Sequence, residues 1–351
     1  MCVENLTRDS MAITFTVPAQ LQKTFEFVQG QYITLRATID GQEVRWSYSI
    51  CSAVQDRQLR IAIKKVAGGA FSTWANGHLL PQSLIEVMPP QGNFHIPLLP
   101  AASRHVMVVA AGSGITPALS IIKTMLVAEP LGRITLVYGN RSSSHVMFRQ
   151  ELQDLKDTFL ARFNIVWVMS RETQDIELFN GRIGYDKVCE LLTCWIDPAS
   201  IDAAFICGPL EMTRAVTQAL VDKGLGKALI KSELFSTGLP ARARAVPVMA
   251  AGVELCDIEV GLDGSRRFFT MPKNGISLVD AGLKAGIDMP YACKGGVCSA
   301  CRAQVLSGEV DMDNNFALED YEVARGFVLC CQSFPVSRKV VIDFDQEHIY
   351  A

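Results

Sequence analysis

Histidine is scarce in this chain, and that scarcity removes one class of metal chemistry. The five histidines, His78, His95, His105, His145 and His348, are scattered. None follows a glutamate by three positions, the helical pair from which di-iron carboxylate sites are built. An excess of one charge is lacking too. With 33 basic and 36 acidic residues the formal net charge is −3, which leaves no electrostatic footprint for nucleic acid. Long hydrophobic runs are missing as well. The most lipid-like stretch, residues 106–122, carries no charge, but Gly112-Ser113-Gly114 and Pro117 interrupt it and it falls slightly short of a membrane span. No basic segment leads into an apolar run and a cleavage site, so no export signal is visible and a cytoplasmic location is expected. The first strand-like segment lies close to Met1, which suggests native residues upstream of it. Most of the 11 cysteines follow no recurring spacing, which suits a reducing compartment better than a disulfide framework. Repeats of fixed period and low-complexity segments are also absent.

What is present is a cysteine loop around which the rest can be arranged. Cys293, Cys298 and Cys301 follow the C-x4-C-x2-C spacing of a plant-type [2Fe–2S] site, and Cys331 supplies a fourth thiolate. Zinc sites prefer paired C-x2–4-C knuckles, whereas here one loop holds three ligands. Gly295 and Gly296 are expected to take positive φ so that the loop can curl, with Ser299 and Ala300 keeping bulk away. Backbone N–H groups freed by such a loop can point at the sulfurs.

A chain of 351 residues is too long for one ordinary core and predicts two or three domains. From Met11 to about Pro100, short alternating runs such as 12–17, 31–35 and 59–63 are broken by turn residues, including Asp40-Gly41. They predict a small antiparallel β-barrel. Within it Trp46, Tyr48 and Ile50 share one strand face, and Ser47 and Ser49 the other. Gly68-Gly69 leads into a helix over Ser72–His78, whose start could hold a pyrophosphate. From His105 the period changes. Strand 105–111, turn 112–117, helix 118–128, strand 133–138, helix 146–159, strand 164–169, strand 203–207 and a helix through Val221 predict a doubly wound parallel α/β sheet. Ligands bind such sheets beyond the carboxyl ends of the strands. Polar and glycine residues cluster at those ends: Gly112 to Thr116, Gly139 to Arg141, Ser170-Arg171 and Cys207-Gly208-Pro209. Residues 239–247, with two prolines and two arginines, read as a linker. A third unit then begins near Val253, with strands 256–261 and 267–271 about the Asp263-Gly264 turn. A helix 277–285 capped by Ser277 precedes the cysteine loop, and a strand at 340–344 follows it. The expected division is 1–100, 101–235, a linker 236–252 and 253–351.

These motifs, in this order, resemble the ferredoxin–NADP reductase superfamily in the form with a C-terminal plant-type [2Fe–2S] ferredoxin domain of β-grasp (α+β) fold. The barrel carries Phe27-x-x-Gly30-Gln31-Tyr32, Tyr48-Ser49 and Gly69-x-x-Ser72. The sheet carries Gly112-x-Gly114-x-x-Pro117, Cys207-Gly208-Pro209 and Glu233-x-Phe235. Tyr138-Gly139-Asn140-Arg141, the run 291–298 and the run 326–332 are further similar to reductases of the phenylacetyl-CoA epoxidase family. The resemblance implies an NAD(P)H-dependent oxidoreductase that passes electrons from NADPH through FAD and [2Fe–2S] to a di-iron oxygenase component. It implies that Tyr48 stacks on the flavin, that Ser49 meets the flavin N5 edge and that Cys207 stands at the nicotinamide, with Glu233 beside these three as a catalytic residue. Gly69 to Ser72 would hold the FAD pyrophosphate and Gly112, Gly114, Thr116 and Pro117 the dinucleotide, with Gly208 and Pro209 beside Cys207. Arg45, Ile50, Lys64, Phe71 and Arg141 join the cofactor-binding set. Ser170-Arg171 matches the superfamily's pair for the adenosine 2′-phosphate, so NADPH is expected over NADH, and no acidic residue follows until Glu172.

Two features depart from the family. The arginine usually found two residues before the flavin tyrosine is replaced by Trp46, and Arg45, one residue off, should point to the opposite face. Weaker FAD retention is therefore expected. Cys330 adjoins Cys331 and could compete as a ligand, although Cys331 keeps the usual spacing from Cys301. Acidic Asp311, Asp313, Glu319, Asp320 and Glu322 are candidates to steer a partner. Two other readings stay open: a reductase serving a Rieske or steroid-ring oxygenase, and an iron–sulfur docking subunit that has lost its flavin.

Overall fold

A computed structural model describes residues 1–235, 254–273 and 275–346. The residues form two compact units, Met1–Phe235 and the described residues that follow. The expected linker at 239–247 lies outside the described residues.

The first unit starts with strands β1 (Cys2–Thr7), β2 (Ser10–Phe15), β3 (Tyr32–Ile39), β4 (Gln42–Ser49) and β5 (Leu59–Lys64), helix α1 (Ala70–His78) and strand β6 (Glu86–Val87). They make two three-stranded sheets, β1-β2-β5 and β4-β3-β6, and a bridge between Ile50 and Ile61 helps close them into the expected barrel. The β3–β4 hairpin turns at Asp40-Gly41, both at positive φ (52° and 76°), as a two-residue turn with right-handed strand twist requires. Alternation places Ile33 and Leu35 in the barrel core, facing Tyr48 and Trp46 across the ladder.

Next come β7 (His105–Ala111), α2 (Ile115–Ala128), β8 (Arg133–Asn140), α3 (Arg149–Thr158), β9 (Phe163–Met169), α4 (Tyr185–Cys194), β10 (Ala203–Cys207), α5 (Leu210–Asp222) and β11 (Ile230–Glu233). The sheet order is β11-β10-β7-β8-β9, with every pair parallel. The strand order therefore reverses between β7 and β10, the place where a doubly wound sheet opens a ligand crevice. Two boundaries differ from expectation. Helix α2 already begins at Ile115, after a 3-10 turn over Gly112–Gly114. Helix α3 begins at Arg149, not Val146, because Phe148 takes a left-handed conformation (φ 58°) and buries its ring in the core. The barrel and sheet share a single core: Ala12, Cys51, Ala62 and Phe94 pack with Val106, Ile115 and Leu119. Phe94 meets Phe205 edge-on at 5.2 Å.

The second unit holds β12 (Leu255–Leu262), β13 (Ser265–Pro272), α6 (Leu278–Lys284), β14 (Arg302–Ser307), β15 (Val310–Met312), α7 (Asp320–Ala324), β16 (Phe327–Leu329), β17 (Ser333–Pro335) and β18 (Lys339–Asp343). A five-stranded mixed sheet, β13-β12-β18-β14-β16, packs α6 against its core face. Ser277 caps α6 as expected, its Oγ accepting from the Asp280 N–H at 3.2 Å. No helix among the described residues is long and apolar enough to cross a membrane.

Candidate functional site

Strand β4 delivers Ser49 from the barrel and β11 delivers Glu233 from the sheet edge. They meet: Ser49 Oγ donates to Glu233 Oε2 at 3.2 Å. Burial pushes the Glu233 carboxyl up to about 8, with the Ser49 bond opposing the shift, so near neutrality it carries its proton. Cys207, at the end of β10, stands opposite Glu233 in the ladder and is 1% exposed. Burial, and after it the nearby Glu233 charge, holds the Cys207 thiol well above its ordinary value. The loop before α2 is pressed against it. A Cβ added at Gly114 would stand 2.1 Å from the Cys207 carbonyl oxygen and 3.2 Å from its Sγ. Three uncharged hydrogen-bonding groups, Ser49, Cys207 and Glu233, thus sit at the mouth of the crevice.

Tyr48 faces the other way along β4, opposite Ile33, and its ring leans on Phe71 at 5.7 Å. Its hydroxyl is buried without a hydrogen-bond partner, an orphan polar atom of the kind a bound ligand satisfies. At the start of α1, Gly69 gives no side-chain cap. Ser72 Oγ turns back to accept the Val66 N–H at 3.1 Å, and a Cβ on Gly69 would fall 2.6 Å from it. First-turn N–H groups are thereby left to an anion. These features fit a flavin dinucleotide. Ile50 and Phe71 are core side chains, 0% and 2% exposed, and offer a cofactor only their backbone. Arg45 is buried and bonded to Glu43 Oε1 at 2.8 Å on the face away from Tyr48, while Trp46 is 40% exposed. The structure does not bring Arg45 to the Tyr48 face.

At the sheet's crevice the Gly112 loop, with φ 54°, is held by Tyr138 Oη on the Gly112 carbonyl (2.9 Å) and by Thr116 Oγ1 on that of Ser113 (3.0 Å). Thr116 is thus committed within the loop, and Pro117 is buried in the first turn of α2. Gly208 packs so closely that a Cβ would lie 2.4 Å from Met212 Cε, and the Pro209 carbonyl accepts the Thr213 N–H. Backbone bonds join the ends of β8 and β9: Ser170 N to Asn140 O at 2.9 Å and Arg171 N to Arg141 O at 2.8 Å. Lys64 lies near Arg141, and burial with that second cation lowers the Lys64 ammonium against the pull of Asp9. Like charges held together suit the phosphates of a dinucleotide. Sequence reasoning passed over the partner of Glu172. Ser143 donates to it through both its N–H (2.7 Å) and its Oγ (2.9 Å). The polar run Ser142-Ser143-Ser144 was the only hint, since a pairing across strand ends has no local signature.

In the second unit the cysteine loop curls at Lys294 (φ 50°) and Gly296 (φ 75°), not at Gly295 as expected. A Cβ on Gly296 would meet the Asn314 carbonyl at 2.8 Å, which is why glycine is needed there. Cys293 and Cys298 sulfurs lie 3.1 Å apart. The N–H of Gly295 points at Cys293 Sγ (3.3 Å) and that of Cys331 at Cys301 Sγ (3.4 Å). Hydrogen bonds from Cys298 and then Cys331 hold the Cys293 thiol far below its ordinary range, and the same bonds push Cys298 and Cys331 up. Thiols this crowded cannot all ionise without cations between them, which fits an iron–sulfur cluster. No three acidic, histidine or cysteine groups among the described residues converge on a single-ion site; a two-iron cluster, with two thiolates per iron, asks for none. Cys330 is wholly buried, and burial raises its thiol. Gln332 ties the loop together, donating to the Lys294 carbonyl at 2.9 Å. One acidic candidate falls away: Glu322 is 1% exposed, bonded to Arg302 at 2.9 Å, and cannot face a partner.

The fold and these groups define a pyridine-nucleotide-dependent flavin and iron–sulfur reductase. Family descriptions match in the same order: an oxidoreductase FAD-binding domain over residues 2–96, an oxidoreductase NAD-binding domain over 108–218 and a 2Fe-2S iron-sulfur cluster binding domain over 260–336. The chain is 42% identical to one of the subunits of 1,2-phenylacetyl-CoA epoxidase from Escherichia coli (strain K12), across 98% of this chain and 96% of that relative. It is 33% identical to the ferredoxin reductase component of 3-ketosteroid-9-alpha-monooxygenase from Rhodococcus rhodochrous, across 96% and 93%. Phthalate dioxygenase reductase shares the fold, with a TM-score of 0.56 at 22% identity over 97% of this chain and 95% of that one. The chain belongs to the ferredoxin–NADP reductase superfamily, in the form with a C-terminal plant-type [2Fe–2S] ferredoxin domain. It is an electron-transfer oxidoreductase using FAD, a pyridine nucleotide and [2Fe–2S], and its partner is an oxygenase.

Proposed function

We propose that this reductase supplies electrons to a di-iron epoxidase acting on phenylacetyl-CoA, that it uses NADPH in preference to NADH, and that it works in the cytoplasm. The end-to-end 42% identity with a component of phenylacetyl-CoA epoxidase carries the choice of acceptor. The 33% identity with a steroid monooxygenase reductase supports a second reading, in which the acceptor is a ring-hydroxylating oxygenase. Domain limits of 1–100, 101–235 and 253–351, with 236–252 as a linker, complete the proposal.

The flavin, when bound, takes the two electrons of a hydride and returns them singly, as a one-electron cluster requires. The chain's residues set the conditions. The first turn of α1 and the side of Tyr48 would hold the flavin dinucleotide; Lys64 would take a phosphate of the nucleotide; Ser170 and Arg171, with Arg141 beside them, would take its 2′-phosphate. Ser49, held by Glu233, would face the flavin edge, and Cys207 would lie against the nicotinamide. Because Glu233 and Cys207 keep their protons near neutrality, no fixed negative charge opposes an arriving hydride. Cys293, Cys298, Cys301 and Cys331 ligate the cluster.

The test is reconstitution with the purified oxygenase component of each class. NADPH-driven oxidation of phenylacetyl-CoA at a rate well above that with NADH or with a steroid hydroxylase supports the proposal. Turnover only with the steroid enzyme, or equal use of both nucleotides, sinks the corresponding part of it.

A further inference from the structure

Glu172 immediately follows Arg171 at the end of β9, yet its carboxylate pairs with neither Arg171 nor Arg141. It reaches across to the turn after β8, where Ser143 binds it twice, through the backbone N–H at 2.7 Å and the hydroxyl at 2.9 Å. Those two bonds, ahead of any cation, hold the Glu172 carboxyl below its ordinary range. Both arginines are exposed at adjoining strand ends, joined by the backbone bond between them, and among the described residues neither has an ion pair. A glutamate next to an exposed arginine would ordinarily neutralise it. At this end of a nucleotide-binding strand it could also accept the ribose 2′-hydroxyl, as acidic residues do in NAD-binding sites. Here it does neither.

We propose that Ser143 is a specificity-determining residue: by holding the Glu172 carboxylate it leaves Arg141 and Arg171 open to a 2′-phosphate and denies NADH an acidic ribose partner. The inference rests on the reading that Ser170 and Arg171 receive the 2′-phosphate. Replacing Ser143 with alanine removes one of the two bonds and keeps the N–H, so the carboxylate becomes free for part of the time. Glu172 then competes with the phosphate for the guanidiniums and repels it, while becoming available to the 2′-hydroxyl of NADH.

The experiment compares kcat/KM for NADPH and NADH in the flavin-loaded full-length protein, with ferricyanide as acceptor. A second readout, independent of turnover, is calorimetric binding of adenosine 2′,5′-bisphosphate. In Ser143→Ala the NADPH-to-NADH ratio should fall about three- to tenfold, chiefly through KM for NADPH, the net scale of one hydrogen bond at an exposed site. The bisphosphate should weaken in parallel. Adding Glu172→Ala to that variant should restore both, and Ser143→Thr, which keeps a hydroxyl, should retain most of the preference. A ratio within twofold of the parent in Ser143→Ala, or a loss that Glu172→Ala fails to reverse, overturns the inference. Arg171→Ala separates the two levels. If it lowers the ratio while Ser143→Ala does not, only the role of Ser143 fails; if it leaves the ratio unchanged, the 2′-phosphate assignment fails and takes this inference with it.

Discussion

The hydroxyl of Ser49 donates to the carboxyl of Glu233 at 3.2 Å, joining residues 184 positions apart in the chain. One belongs to the flavin-side barrel and the other to the last strand of the nucleotide sheet. Because the barrel and sheet share a core, this bond spans a crevice whose width is set by packing and not by a hinge.

Glu233→Gln keeps a group that can bond Ser49 but cannot ionise. The rate of flavin reduction by NADPH should then lose its decline above pH 8, where the native carboxyl begins to carry charge. Burial raises the folded value from 4.5 to about 8, so the folded state binds more protons between those values and its stability falls as pH rises through that window. The same substitution should flatten that slope. Rapid-mixing kinetics and thermal unfolding from pH 5 to 9 check both, and an unchanged alkaline limb would remove Glu233 from the hydride step.

In the proposed flavin site Trp46 takes the position of an arginine that would face the pyrophosphate, and Arg45 is committed to Glu43. Trp46→Arg should tighten FAD by about tenfold, the scale of one charge-assisted hydrogen bond. An unchanged dissociation constant in fluorescence titration would show that the exposed indole costs the protein nothing.

The Cys331 N–H points at Cys301 Sγ (3.4 Å), whereas the N–H of the wholly buried Cys330 goes to the Cys301 carbonyl (3.0 Å). Cys330→Ser should keep full iron and visible absorbance, at a modest cost in stability for a buried hydroxyl. Cys331→Ser should lose the native spectrum. Iron content per chain after anaerobic purification decides it, and the reverse result would exchange the ligand.

His105 bridges Ser200 Oγ (2.9 Å) and Thr135 Oγ1 (2.8 Å) at the start of β7. Burial, then Arg133, lowers its pKa below 6.5. Its neutral form is therefore favoured on folding, and stability should be lost as pH falls from about 6.5 toward the lower folded value. His105→Gln should reduce that loss in unfolding midpoints measured between pH 7 and 5; an identical acid slope would mean the ring does not titrate on unfolding.

Much of this was legible because it is local. The alternating runs of the barrel and the Ser277 cap each lie within a few residues, and the structure bears them out. The start of α3 was misplaced because a left-handed Phe148 is chosen by core burial, which outweighs the helical tendency of its neighbours. Glu322 looked like a docking charge because acidic residues surround it, and only the fold reveals that it is buried against Arg302.

By itself the sequence determined the ingredients: four cysteines at a recognisable spacing, glycines where strands end, and the order of the FAD-binding, NAD-binding and cluster-binding domains along the chain. These depend on backbone spacing and periodicity, which a linear string carries. Tertiary structure decided the pairings: Ser49 with Glu233, Gly114 against Cys207, and Glu172 with Ser143 in place of its arginine neighbour. Such pairings depend on which strand ends the packed core brings together, and burial then sets the protonation states. No spacing rule encodes either.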